Sequence, residues 1–99
     1  LPMLTGFENH QGLTRLGDEM PPLGTVRSGI GNGFNKHEGV WHGNVFGSYM
    51  HGPALARNPE LADAVLQCAV GPMREFVDPF ADALAAERRH SLGGTAIKN

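Results

Sequence analysis

The sequence predicts an α/β domain in which strands and tight turns occupy residues 1–53 and helices occupy residues 58–92. Three observations carry this expectation. Short apolar runs separated by Gly, Asn and Pro clusters fill the first half, which is the pattern of strands joined by turns. Asn58-Pro59 and Asp78-Pro79 each open a stretch with helical apolar spacing. Most of the 14 glycines precede Asn58, so composition shifts where the helices begin.

At 99 residues the chain holds one domain at most. Eight Lys and Arg against ten Asp and Glu leave a formal charge of −2, which gives no electrostatic footprint for nucleic acid or an anionic membrane. The single cysteine, Cys68, excludes an internal disulfide framework and a multi-cysteine zinc site, and implies a reducing, cytoplasmic setting. No apolar run approaches the roughly 18 residues of a membrane span. The opening Leu1-Pro2-Met3-Leu4 lacks the charged start and apolar core of a signal peptide. Because the chain opens on Leu and enters strand-like sequence at once, a fragment of a longer chain is expected.

Thr5–Glu8 reads as a short extended piece ending in the turn cluster Asn9-His10-Gln11-Gly12. Leu13–Leu16 leads to Gly17-Asp18 and the breaker Met20-Pro21-Pro22. Leu23–Arg27 is a candidate strand, and Ser28–Asn35, rich in Gly and Asn, joins it to the next. Two more strands are expected at His37–Trp41 and Asn44–His51. In the second, Val45, Gly47, Tyr49 and His51 share one face while Phe46, Ser48 and Met50 share the other; apolar bulk on both predicts burial on both sides. Gly52-Pro53 ends it.

Asn58-Pro59-Glu60 has the chemistry of a helix start, with the Asn58 side chain expected to accept from free N–H groups. Leu61, Val65, Cys68 and Ala69 form one stripe, expected to face the core, and Gly71-Pro72 stops the helix. Asp78-Pro79 opens the last helix, with Phe80 and Leu84 on its apolar side. Arg88, Arg89 and His90 lie at its negative end before Gly93-Gly94.

His51 is the sharpest chemical candidate. A histidine at the carboxyl end of a strand, followed by Gly52-Pro53, is held by the sheet while its ring reaches the rim, and it can take and return a proton near neutral pH. Cys68 invites pairing with it, but a thiol on an apolar helical face is expected to be structural. His10, His37, His42, His51 and His90 show no local ligand spacing, so no metal site is expected. Gly29-Ile30-Gly31-Asn32-Gly33 resembles a phosphate loop, yet no helix start follows it, and strand-connecting glycines account for it better. Asn9, Gln11 and Gly12 form a polar turn able to orient a small polar ligand or simply to face solvent. Lys36-His37-Glu38 and Glu87-Arg88-Arg89 read as solvated charge.

Taken in order, Gly6-Phe7-Glu8-Asn9-His10-Gln11-Gly12, Pro22-Leu23-Gly24 with Gly31-Asn32, Glu38-Gly39-Val40, Asn44 through Pro53 and Asn58 through Asp63 resemble the C-terminal part of the cobyric-acid-synthase-like class I glutamine amidotransferases. The Phe-Glu-Asn-His version is most similar to the glutaminase subunit (GatD type) of lipid II isoglutaminyl synthases. The resemblance implies a flavodoxin-like, doubly wound domain in which a cysteine at a nucleophile elbow attacks the side-chain amide of glutamine. It assigns the catalytic histidine to His51 and places Asn9, Gln11 and Gly12 beside the glutamine pocket. Where many class I relatives carry a ring-orienting Glu two residues after that histidine, this chain has Pro53, as the cobyric-acid-synthase-like branch does.

The family's nucleophile precedes the Phe-Glu-Asn-His segment, and nothing before Thr5 supplies it. Residues 1–99 are therefore expected to be the C-terminal part of a single amidotransferase domain, inactive alone and completed by the missing N-terminal part. The resemblance further implies an ATP-dependent, Mur-ligase-like partner subunit that holds ATP and Mg and amidates D-glutamate of lipid II, with no cofactor in this domain. Corrinoid amidation is the rival within the family. A non-catalytic interaction domain is the rival from another class.

Overall fold

The computed structural model describes residues 1–33, 35–74, 77–91 and 94–99. Its elements are β1 (Leu4–Glu8), β2 (Gly24–Ser28), β3 (His37–Glu38), β4 (Val40–His42), β5 (Val45–Gly47), β6 (Met50–His51), α1 (Ala54–Arg57), α2 (Pro59–Val70), α3 (Pro79–Ser91) and β7 (Thr95–Lys98). Five strands form one sheet in the order β3-β2-β7-β1-β6, while β4 and β5 pair separately. The pairings are antiparallel, with Phe7 opposite His51, Glu8 opposite Met50 and Leu4 opposite Ile97. The α/β class holds, but strands do not simply precede helices. β7 follows α3 and enters the middle of the sheet, with Thr95, Ala96 and Ile97 buried. Four residues are too few to show a period, and β7 is defined by partners far away in sequence, so the reading of a purely helical second half missed it. The expected connection at Phe34 and helix stop at Gly93 fall outside the described residues.

The core gathers Leu4, Leu23, Met50, Leu61 and Ile97, with Val26, Trp41, Phe46, Ala54 and Val65 packed against them. One or two apolar side chains each from β1, β2, β4, β5, β6, β7, α1 and α2, together with Leu23 just before β2, thus build one small core to which β3 and α3 add none of these residues.

Asn44–His51 is not one strand buried on both faces. It splits into β5 and β6 at Ser48-Tyr49, Val45 is 53% exposed, and His51 is exposed at the end of β6. The break has a cause: the Glu38 carboxylate accepts the Tyr49 N–H at 2.5 Å and the Ser48 hydroxyl at 3.1 Å, and Ser48 Oγ in turn accepts the Met50 N–H. Side-chain acceptors thereby replace the ladder partner that this stretch lacks. Glu38, expected to be solvated, is fully buried for the same reason.

Helix α2 starts at Pro59 as expected, but Asn58 does not cap it with its side chain. The Asn58 amide instead accepts the Thr5 N–H at 2.8 Å and donates to the Thr5 and Ala54 carbonyls at 2.8 and 2.7 Å. β6 pairs only with Phe7 and Glu8, so the edge of β1 at Thr5 has no strand beside it. Asn58 supplies one residue's worth of ladder there, and the short α1 places it. On α2, Leu61 is buried and Val65 packs against the core, whereas Cys68 and Ala69 are exposed, so the stripe leaves the core in the second half of the helix. On α3, Phe80 is 76% exposed and Ala85 is the buried residue, while Asp78 does cap the start by accepting the Ala81 N–H.

Replacing Asn58 with Ala strands two buried main-chain groups of Thr5. It is expected to destabilise the fold by about 2–3 kcal/mol in urea unfolding, more than a surface Asn→Ala change by at least 1.5 kcal/mol or so. A loss below about 0.5 kcal/mol would show that the ladder does not depend on it.

Candidate functional site

The segment from the end of β1 through the following turn is organised by one carboxylate. Glu8 Oε1 accepts the Gly31 N–H at 2.6 Å and pairs with His10 Nε2 at 2.9 Å; Oε2 accepts the Ile30 N–H at 2.7 Å and the Thr95 hydroxyl at 2.9 Å. The glycine-rich connection after β2 therefore does bind an anion through its main-chain N–H groups, but the anion is the protein's own Glu8. Gly31 has φ +70°, and a Cβ there would lie 2.4 Å from the His37 carbonyl oxygen, so only glycine permits this curve.

His10 extends the hub into the turn. Its Nδ1 bonds the Gly12 carbonyl at 2.9 Å, which closes the Asn9–Gly12 turn on itself. Its ring stacks on Tyr49 at a centroid distance of 3.8 Å, and the Tyr49 hydroxyl bonds Thr14 at 2.5 Å. Tyr49 is in turn fixed through its N–H by Glu38, so the turn is anchored both to Glu8 and to the residues just before β6.

Burial pushes the Glu8 carboxyl up, but bonds from His10, Ile30, Thr95 and Gly31 outweigh it and hold it below its ordinary value. The bond to Glu8 raises His10, helped by the Gly12 carbonyl. Glu38 is raised, with burial the largest cause, opposed by its bonds from Tyr49 and Ser48.

His51 is exposed at the end of β6, and its ring makes no hydrogen bond to any described residue. Its register opposite Phe7 puts it on the face of β1 opposite to the one that Glu8 shares with Met50. Asn9, Gln11 and Gly12 are exposed. The turn is connected to His51 through Tyr49, not by direct bonding. Cys68 lies elsewhere, in a groove of about 400 Å³ with Trp41, Phe46 and Val65. Among the described residues no group of three or more His, Cys, Asp and Glu side chains could hold a metal ion, and no helix is long and apolar enough to cross a membrane.

Residues 2–59, more than half of the chain, match the CobB/CobQ-like glutamine amidotransferase domain. The chain belongs to that family. The amidotransferase match spans β1 through the Asn58-Pro59 helix start, so it contains the Glu8 hub, Glu38 and His51. The chain is 54% identical over 66 residues to lipid II isoglutaminyl synthase (glutamine-hydrolyzing) subunit GatD of Streptococcus pneumoniae, covering 66% of this chain and 25% of that protein. It is 42% identical over 67 residues to the subunit of the same name from Staphylococcus aureus, covering 67% and 27%. A probable cobyric acid synthase of Methanosphaera stadtmanae is 44% identical over 50 residues, half of this chain and 10% of that protein. The chain thus spans about a quarter of the length of the two GatD relatives.

Sequence reasoning singled out His51 and the Asn9–Gly12 turn but missed Glu8, Glu38 and Tyr49 as the residues that fix them. Glu8 and Glu38 stood inside the family-like motifs, yet nothing local announces partners at positions 30, 48, 49 and 95.

Glu8 lies below its ordinary 4.5, so its ionised form adds stability that is present above pH 4.5 and lost as the pH falls through the depressed value. His10 lies above its ordinary 6.5, so its protonated form adds stability that is complete below pH 6.5 and lost as the pH rises through the raised value. Glu38, being raised, contributes in the opposite sense to Glu8: its share is complete below pH 4.5 and falls as the pH rises. His10→Phe keeps a ring on Tyr49 but removes the pair. The stability difference from wild type, measured by urea unfolding at several pH values, should be largest between pH 4.5 and 6.5 and shrink on the alkaline side. A flat or alkaline-rising difference contradicts the pairing.

Proposed function

We propose that the complete protein hydrolyses glutamine to glutamate and ammonia, and that it passes the ammonia to a Mur-ligase-like subunit that amidates D-glutamate of lipid II. The observation that carries this reading is the exposed His51 ring at the end of β6, without a hydrogen-bond partner among the described residues and two residues after Tyr49, on which the His10 ring of the turn stacks, in a chain that is 54% identical to a GatD subunit over the matching segment. In this reading residues 1–99 are the C-terminal part of one flavodoxin-like, doubly wound domain, and the nucleophilic cysteine comes from the part that precedes them. An antiparallel sheet edge added to a parallel core is a common arrangement in such domains.

His51 takes the thiol proton, and the thiolate attacks the amide carbon of glutamine. The protonated imidazole then gives its proton to the departing ammonia, leaving a thioester. His51 next removes a proton from water, whose attack on the thioester carbon releases glutamate and returns the thiol. An exposed imidazole at a strand end suits both proton transfers, because the strand fixes its position while the ring stays accessible. Asn9, Gln11 and Gly12 orient the glutamine polar groups through the turn backbone. Activation of the acceptor carboxyl by ATP and Mg belongs to the partner subunit, and a cytoplasmic setting keeps the thiol reduced. This domain itself needs no cofactor.

His51→Ala in the full-length protein should lower glutaminase turnover by about a hundred- to ten-thousandfold, with folding unchanged by circular dichroism. Near-wild-type turnover would refute the mechanism. The match to a probable cobyric acid synthase favours corrinoid amidation as the second reading. Stimulation of glutaminase activity by the lipid II acceptor and not by a corrinoid acid decides between them.

A further inference from the structure

Arg57 is 8% exposed, and no carboxylate or other acceptor among the described residues bonds it; its Nε is buried without a partner. Nε is the guanidinium nitrogen that is cut off from both water and protein, and a buried donor left unpaired carries a desolvation cost that a bound acceptor removes. The position of Arg57 is defined by packing. The guanidinium carbon lies 4.5 Å from the centre of the Phe7 ring, and Phe7 stands opposite His51 in the β1–β6 register, so all three share one face. Gly52, with φ +123°, makes the room: a Cβ there would lie 2.7 Å from Arg57 Cδ and 3.3 Å from Nη1. Arg57 therefore packs against the residue that directly follows His51.

The surroundings strengthen the demand for an anion. Burial, and to a lesser degree the neighbouring Arg88 on α3, push the Arg57 guanidinium below its usual value. Thr5, on the same face of β1 as Phe7, is 3% exposed and keeps its hydroxyl without a partner. Thr5 Oγ1 and Arg57 Nε are thus both buried without a partner, while Glu8 and Glu38 are engaged elsewhere and the Glu60 carboxylate, whose Oε2 is also buried without a partner, makes no bond to Arg57. Glu8 is saturated by its four bonds, and Glu38 by Ser48 and Tyr49.

We propose that Arg57 is a substrate-binding residue that receives the α-carboxylate of glutamine while the side-chain amide lies at His51. This rests on the glutaminase reading and deepens it. His51 is flanked along the chain by Tyr49, which carries the Asn9–Gly12 turn, and by Gly52, which carries Arg57. A glutamine with its amide at the imidazole then has a cation of fixed position for its charged end, and the fork of donors on a guanidinium matches a carboxylate.

The test uses the full-length protein with its partner subunit and measures glutaminase kinetics. Arg57→Met should raise KM for glutamine roughly 10- to 100-fold with kcat within about threefold, since the contact is made in ground and transition states alike. Arg57→Lys, which keeps the charge but not the fork, should fall between the two. The wild type should discriminate by a similar factor against glutamine α-amide, which lacks the carboxylate, and Arg57→Met should lose that discrimination. Equal use of glutamine and its α-amide by the wild type overturns the assignment without reference to any variant, as does an unchanged KM in Arg57→Met. In either case a protein that still hydrolyses glutamine leaves the glutaminase reading standing, whereas absence of glutaminase activity in the wild type overturns both.

Discussion

The carboxylate of Glu8 is the point on which this structure depends. Four donors from three separate parts of the chain converge on it: the ring of His10, the N–H groups of Ile30 and Gly31, and the hydroxyl of Thr95. The polar turn after β1, the glycine loop after β2 and the first residue of β7 are all fixed by it. A short strand pair such as β1–β6, with two residues in register, is marginal by itself. Charge-assisted bonds to an ionised carboxylate supply rigidity that so few ladder bonds lack.

A second buried carboxylate has the complementary task. Glu38 holds the main chain where β5 gives way to β6 and so sets the direction in which Tyr49 and His51 leave it. Its neighbour across the stack, His10, connects it to the Glu8 hub through Tyr49. Asn58 works in the same manner on the other side, lending its amide to the open edge of β1. Three polar side chains thereby perform the work of strands in a sheet whose outer members are two residues long. The consequence for chemistry is that the His51 ring has no hydrogen-bond partner among the described residues, while Tyr49 before it is held by Glu38 and His10.

How much of this could be read from the sequence follows from the range of each interaction. The strands at Leu4–Glu8 and Gly24–Ser28, the glycine connection and the helix starts at Pro59 and Pro79 are announced by local chemistry, and the structure places them within a residue of expectation. That His51 ends a strand just before the Gly52-Pro53 exit is local information, whereas the division of Asn44–His51 into β5 and β6 is not. Glu38 was misread as solvated because its neighbours Lys36 and His37 are polar, whereas its partners lie ten and eleven residues on. Asn58 was read as a cap because Asn before Pro and Glu has that chemistry; competition from a strand edge 53 residues away is invisible locally. β7 was lost for the same reason, being a strand through its neighbours β1 and β2. Phe80 and Cys68, expected against the core, stand on open helix faces instead.

Pinning of the loop and turn by Glu8 can be measured by amide hydrogen exchange in the full-length protein and in its Glu8→Ala variant. The Ile30 and Gly31 amides are expected to exchange slowly in the wild type and at least tenfold faster in the variant, while amides of the β4–β5 pair are unchanged. Equal exchange at Ile30 and Gly31 in the two proteins would contradict it.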